Sequence, residues 1–271
     1  MKQLLLGSVL GRYALSFRDT FDILHTAYFN PENIGTLAND QLASNLVTKL
    51  CQPNKTFIDV GAHIGSIISG VMDHDSSIKI IAIEAMPDKI RNLRRKFPSV
   101  EFHDCAVGET PGDVSFFVNK KLSGYSSLIK PEDNNRGEVS EIRVPLKKVD
   151  DLITSKDVDV IKIDVEGVEL GVLRGAVNLL KNLRPVIMFE SGPQSNDDLG
   201  YTKEAMHQFL TANDYVVLIP IRIAHNDPGL SENQFVEAHL YPRRTTNYFA
   251  VPKERRDEIR ERVRSILKLS K

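Results

Sequence analysis

The sequence predicts an α/β protein built on a mostly parallel sheet with helices on both faces. From residue 56 onward, short runs rich in Val, Ile and Phe alternate with stretches of helical periodicity, which is the pattern of strand–helix–strand units. The chain has 271 residues, 41% hydrophobic and 26% charged, enough to bury one large sheet or two small domains. Residues 1–52 read as a helical N-terminal extension, because Phe17, Phe21, Leu24 and Tyr28, then Leu42, Leu46 and Leu50, recur at helical spacing on either side of Asn30-Pro31. The main domain is expected over 53–252. Its strands are expected at 56–60, 78–83, 100–103, 158–163, 186–189 and 216–219, and its helices at 65–72, 88–97, 167–182 and 202–213. Between the third and fourth strands, a polar stretch holds strand-like pieces at 114–118 and 142–146, read as a hairpin inserted at about 110–148. In the charged tail, 253–271, Ile259, Val263, Ile266 and Leu267 share one helical face, which favours docking onto the domain.

Charge and cysteine content narrow the function classes. With 35 Lys+Arg against 36 Asp+Glu the formal charge is −1, so no general attraction to nucleic acid is expected. Cys51 and Cys105 are too few for a disulfide framework or a zinc site, which favours a reducing compartment. The apolar run at residues 4–10 is interrupted by Gly7 and Ser8 and has no cleavage site, and no run approaches 18 apolar residues. A cytoplasmic protein without a transmembrane segment is expected. Homo-oligomerisation is left open.

The sharpest motif runs from Thr56 to Gly65, where a buried strand enters a glycine turn. In open α/β sheets this position opens on a ligand crevice. Gly61, Ala62, His63 and Gly65 let a ligand approach backbone and helix start, and Asp59 stands ready for an ammonium group. The second strand ends at Glu84 and Ala85, where an acid accepts from ribose hydroxyls. The third ends in Asp104, Cys105 and Ala106, expected along an adenine ring. The spacing Gly61-x-x-x-Gly65 is not the dinucleotide fingerprint, so S-adenosylmethionine is favoured over a nicotinamide cofactor. The bland alternative makes Asp59 a turn cap, Glu84 a solvated strand end and Cys105 a buried thiol.

A second motif spans residues 159–170. Strand alternation places Lys162 and Asp164 on one face, about 7 Å apart. A lysine within an apolar strand needs a partner, with Asp164 or Glu190 as candidates. Asp164, Glu166 and Glu190 converge on the edge where open sheets bind ligands. They suit general-base chemistry on a hydroxyl, with Lys162 beside them, or a divalent metal such as Mg²⁺ held by Asp164 and Glu190. They equally suit helix N-termini, and for Glu169 that reading is preferred.

These segments resemble the FkbM family of S-adenosylmethionine-dependent methyltransferases. The resemblance rests on Phe57-Ile58-Asp59-Val60-Gly61-Ala62-His63-Ile64-Gly65, on the string from Asp159 through Lys162-Ile163-Asp164-Val165-Glu166-Gly167 to Glu169, and on Val172-Leu173-Arg174-Gly175-Ala176. It covers roughly residues 55–220. It implies a class I methyltransferase (Rossmann-like) fold with a seven-stranded, mostly parallel sheet, whose one antiparallel strand falls at 248–251. It places Gly61, Ala62 and His63 around the methionine part of the donor, Glu84 on its ribose, and Asp104, Cys105 and Ala106 near adenine. It implies a transferase acting on a hydroxyl of a sugar or secondary metabolite, so a small-molecule or glycan acceptor is the expected partner. His63 stands where Asn is common, and Ala85-Met86 replaces a more usual proline turn. His225 is a second base candidate, and Tyr125, Ser126 and Ser127 are candidates for the acceptor entrance. The rival reading is a donor-binding or partner-binding protein without catalysis.

Overall fold

The computed structural model describes residues 9–119, 139–192 and 200–269. A seven-stranded sheet forms the centre, from strands β1 (Thr56–Val60), β2 (Lys79–Ile83), β3 (Glu101–His103), β7 (Val158–Ile163), β8 (Val186–Glu190), β9 (Tyr215–Leu218) and β10 (Asn247–Pro252). Their order is β3-β2-β1-β7-β8-β10-β9, and only β10 runs antiparallel to its neighbours. This is the class I methyltransferase arrangement. β1 and β7 are buried along their whole length, as strands covered on both faces must be.

Alternate residues divide between two cores. Ile58, Val60, Ile161, Ile163 and Phe189 face one layer, while Phe57, Val160, Val186 and Met188 face the other. The first layer is covered by α6 (Glu169–Arg174), α7 (Val177–Leu183), α8 (Lys203–Ala212) and α9 (Glu232–Glu237). The second is covered by α2 (Ile34–Leu50), α3 (Ser66–His74), α4 (Pro87–Lys96) and α10 (Arg256–Ile266). A first helix, α1 (Val9–Phe29), precedes α2, and a short α5 (Val149–Leu152) precedes β7. The buried stripe of α2 is Ala43, Leu46, Val47 and Leu50, with Leu42 only half-buried.

The expected single helix over 167–182 is two. The break falls at Gly175-Ala176, where an added Cβ on Gly175 would lie 2.2 Å from the Gly108 carbonyl oxygen. The Gly175 carbonyl accepts from the Asp150 N–H at 3.0 Å, and the Asp150 carboxylate accepts from the N–H groups of Asn178 and Leu179 to cap the new start. Between β3 and β7, β4 (Ala106–Val107), β5 (Gly112–Asn119) and β6 (Val139–Lys147) make a second sheet in which β5 and β6 pair antiparallel. Phe116 and Val144 pack with Ala106 of the same sheet and with Met86, which follows β2 of the large one. Tyr125, Ser126 and Ser127 lie outside the described residues.

Helix α10 docks through Ile259 and Val263, both fully buried. Arg255 and Arg262 beside them each place a guanidinium 2.7 Å from Asp159, which also accepts from the Gln52 N–H at 2.9 Å. Among the described residues, no helix is long and apolar enough to cross a membrane.

Candidate active site

The sheet order reverses between β1 and β7, and the carboxyl ends of those strands open on a cavity of about 410 Å³. Such a volume lies within the roughly 300–1,000 Å³ of small-molecule sites. One wall is the glycine turn after β1. Gly61 has φ +78°, and a Cβ there would stand 1.9 Å from the Asp164 carbonyl oxygen. Glycine is required because β7 presses against the turn. Lys162 holds the same turn from below, donating to the Gly61 carbonyl at 2.7 Å.

Glu84 forms the next wall. Its two oxygens accept from the N–H groups of His63 at 2.8 Å and Met86 at 2.9 Å, which fixes the carboxylate at the end of β2. It remains in contact with the cavity, as do Ala62, His63, Ala85, Cys105 and Ala106.

Three expected donor-site residues stand elsewhere. Asp59 is fully buried, is not on the cavity wall, and faces Lys162 at 3.2 Å. Gly65 is shaped by packing, since a Cβ there would meet Phe97 at 2.5 Å and Leu93 at 2.8 Å. The Asp104 side chain is 60% exposed, pairs with Arg94 at 3.2 Å and is not on the cavity wall. Asp59 and Asp104 are near the right edge, but a protein partner takes each side chain, and Gly65 is set by its packing neighbours.

The carboxylates do converge. Asp164, Glu166 and Glu190 each bring an oxygen within 4.8 Å of the others, at the end of the cavity opposite the Glu84 wall. Burial works against the charge of Asp164, but Lys162 and a hydrogen bond donated by Glu190 outweigh it and hold Asp164 below the usual carboxylate range. Burial pushes Glu190 up to about 10, aided by that shared hydrogen bond and the charge of Asp164. At neutral pH this pair is one carboxylate and one carboxylic acid. Burial, then the charges of Asp164 and Glu169, raise Glu166 to about 7. Glu166 also has φ +56°, a left-handed backbone uncommon for a side chain with a Cβ.

Lys162 is not available for proton transfer. Its ammonium lies 3.2 Å from Asp59, 3.3 Å from Asp164 and 2.7 Å from the Gly61 carbonyl, and burial is outweighed by the two carboxylates, which hold its pKa above normal. Its place in the site is to position the turn and Asp164, which corrects its grouping with the catalytic acids. Glu169 accepts from the N–H groups of Val165 and Gly167, stapling the loop that enters α6. His225 is exposed and off the cavity wall.

Lining residues outside the motifs include Ser66 and Ile67, which directly follow the glycine turn, and Ser44 on α2, Lys89 on α4, Phe116 on β5 and Asn247 on β10. Lys89 had a readable signal, since it lies in the first turn of the helix that follows Glu84. Ser44, Phe116 and Asn247 come from elements far away in sequence.

Compared with protein families, residues 59–217 match the Methyltransferase FkbM domain. A protein from Beauveria bassiana (strain ARSEF 2860) called Methyltransferase 1 is 25% identical over 147 residues, covering 45% of this chain and 59% of its own length. Among solved structures, Methyltransferase FkbM from Methylobacillus flagellatus KT aligns with TM-score 0.46 and 19% identity over 73% of this chain and 43% of that one. A TehB-like SAM-dependent methyltransferase from Corynebacterium glutamicum ATCC 13032 Kitasato aligns with TM-score 0.38 and 12% identity over 78% and 85% of the two chains. The chain thus spans less than two thirds of the length of the first two relatives. With the family match covering more than half of its residues, the chain belongs to the Methyltransferase FkbM domain family.

Proposed function

We propose that this chain transfers the methyl group of S-adenosylmethionine to a hydroxyl of a small-molecule or glycan acceptor. One observation carries the reading: a cluster of three carboxylates, one ionised and one protonated, lines the same cavity as the glycine turn and Glu84. The donor lies with its amino-acid end at Gly61 to His63, its ribose on Glu84 and its adenine along Cys105 and Ala106. The acceptor oxygen then approaches the methyl from the carboxylate side. As the C–O bond forms and the C–S bond breaks, the sulfonium becomes a neutral thioether and the hydroxyl proton passes to a carboxylate. Glu166, titrating near 7, has the affinity that suits a base at neutral pH. Asp164, kept ionised by Lys162, offsets the positive charge of the donor, and Glu190 directs its proton at Asp164.

A divalent ion is a second form of this reading, favoured by the donor set itself. Three carboxylate oxygens within 4.8 Å suit a hard cation such as Mg²⁺. Asp164 and Glu190 would hold it with Glu166, in place of the proton between them. When bound, such an ion lowers the pKa of an adjacent hydroxyl. Turnover that survives exhaustive chelation would eliminate this form and leave direct carboxylate catalysis.

The reading is tested by calorimetry with S-adenosylmethionine, S-adenosylhomocysteine and NAD. Binding of both sulfur ligands and not of NAD is expected. Failure of both sulfur ligands to bind would end it. Binding without any mass gain in hydroxylated acceptors supplied with labelled donor would favour a donor-binding protein without catalysis.

A further inference from the structure

The end of the cavity beyond Met188 and Glu190 is closed by two elements outside the glycine and carboxylate motifs. Asn247 opens β10 and pairs directly with Glu190 across the β8–β10 register. Its side chain therefore stands beside that of Glu190, as directly opposed strand residues do. Ser44 reaches the same cavity from α2. What joins them is Asp40, one turn before Ser44 on that helix. One Asp40 oxygen accepts from the backbone N–H of Thr246 at 2.8 Å and of Asn247 at 3.2 Å, and from Asn247 Nδ2 at 3.3 Å; the other accepts from Thr246 Oγ1 at 2.9 Å.

This arrangement decides which way each polar group points. A carboxylate accepts only, so it draws the NH₂ of the Asn247 amide toward itself, and Nδ2 also donates to Thr246 Oγ1 at 3.1 Å. Asn247 Oδ1 is then the atom left for the cavity. The Ser44 hydroxyl donates to the Asp40 carbonyl at 3.0 Å, which leaves its oxygen lone pairs as well. With Asp164 already an anion, this end of the cavity is a row of hydrogen-bond acceptors. The two lysines on the wall do not alter this. Lys162 is engaged by Asp59, Asp164 and Gly61, and among the charges acting on Lys89 that of Glu84, on the donor side, is foremost.

We propose that Asn247 Oδ1 and Ser44 Oγ form an acceptor subsite, positioned by Asp40, that takes a neutral polyol through a hydroxyl adjacent to the one methylated. Such a ligand supplies donors to these two oxygens. An acceptor carrying a carboxylate or phosphate against Asn247 and Ser44 meets their lone pairs beside the Asp164 anion. The inference rests on the methyl-transfer reading above and adds to it the residues that choose the acceptor.

The test measures methyl transfer from labelled S-adenosylmethionine to a panel of methyl hexopyranosides, their monodeoxy analogues and the matching hexuronates, with S-adenosylhomocysteine affinity measured in parallel. The hexopyranosides are expected to react and the hexuronates to react at least about tenfold more slowly. Asn247→Ala is expected to lower kcat/KM for a vicinal diol about tenfold, mainly through KM, the loss of one good hydrogen bond. It is expected to leave the analogue lacking the adjacent hydroxyl unchanged and S-adenosylhomocysteine affinity within about twofold. Ser44→Ala, at an exposed helix position where no packing is lost, is expected to cost about threefold in the same preference and carries the test if Asn247→Ala fails to fold. Asp40→Asn, which loosens the Asn247 amide, is expected to reduce the diol preference without changing donor affinity. A preference for hexuronates overturns the proposal. So does a folded Ser44→Ala or Asn247→Ala enzyme that keeps its full preference for the diol, or the absence of transfer to every hexopyranoside while S-adenosylhomocysteine binds. Failure of the wild-type chain to bind S-adenosylhomocysteine would instead remove the methyl-transfer reading beneath it.

Discussion

Asp159 and Asp164 stand near opposite ends of β7, the first buried and the second half-buried, and their partners differ. Asp159 meets two guanidinium groups and a backbone N–H, all within 2.9 Å. Burial disfavours its charge, but the Arg255 hydrogen bond and the Arg262 charge hold its carboxyl below the usual range. Its capacity to accept is spent on docking α10. Asp164 shares one lysine with Asp59 and one proton with Glu190, and it opens onto the cavity. An acid saturated by cations is part of the scaffold, whereas an acid that shares its cation and borders a cavity keeps lone pairs for a ligand. The backbone separates them too. The β1–β7 register skips Asp159, a bulge that re-aims its side chain toward α10.

The largest expected effect sharpens the cavity side of this contrast. Glu166→Gln removes the group whose affinity suits a base near neutrality, and transfer is expected to fall about 10²–10⁴-fold. S-adenosylhomocysteine affinity should stay within about twofold, measured by calorimetry on the same preparation. Full turnover in this variant would move the base to another carboxylate. On the scaffold side, Asp159→Ala takes one carboxylate from two half-buried guanidinium groups that keep Glu258, and is expected to cost about 1.5–3 kcal/mol in urea unfolding. A loss under about 1 kcal/mol would show that the apolar contacts of Ile259 and Val263 dock α10 unaided.

The two ends should also answer pH in opposite senses. Asp159 has a depressed pKa in the folded chain, so its contribution is present above the ordinary carboxylate value and is lost as pH falls through the depressed one. Glu166 and Glu190 have raised values, about 7 and about 10, so their contribution is full below the ordinary value. It is lost as pH rises toward those points. Unfolding midpoints followed across pH in Asp159→Asn and Glu190→Gln are expected to flatten the acid and the alkaline limbs respectively. Transfer itself is expected to rise with an apparent pKa near 7 and decline near 10, values that belong to the carboxylate cluster as a whole. A rate independent of pH from 6 to 9 would separate catalysis from the cluster.

What the sequence disclosed follows the same division. Strands buried on both faces read as unbroken apolar runs, so 56–60 and 158–163 were legible residue by residue, and the sheet edge that carries the site followed from them. Partners were not legible. Nothing near Asp59 or Asp104 announces that Lys162 or Arg94 will take its side chain. The split of α6 from α7 is met by Asp150 from a distant segment, and Ser44 and Asn247 reach the cavity only through tertiary packing. Residue type and spacing place a group at an edge; the packing of distant segments decides which way it turns.

That distinction makes Asp104 the most delicate test, because sequence spacing puts it on adenine while the fold gives it to Arg94. With its side chain 60% exposed, the pair is worth little, and Asp104→Ala should change stability by less than about 1 kcal/mol. Donor affinity should move less than about twofold, since Cys105 and Ala106, not Asp104, line the cavity. Cys105→Leu, which adds bulk to that wall, should weaken S-adenosylhomocysteine binding far more. If the order is reversed, with Asp104→Ala costing about tenfold, then the carboxylate exchanges Arg94 for the ligand, and even a surface acid at this strand end belongs with Asp164 as a group kept for binding.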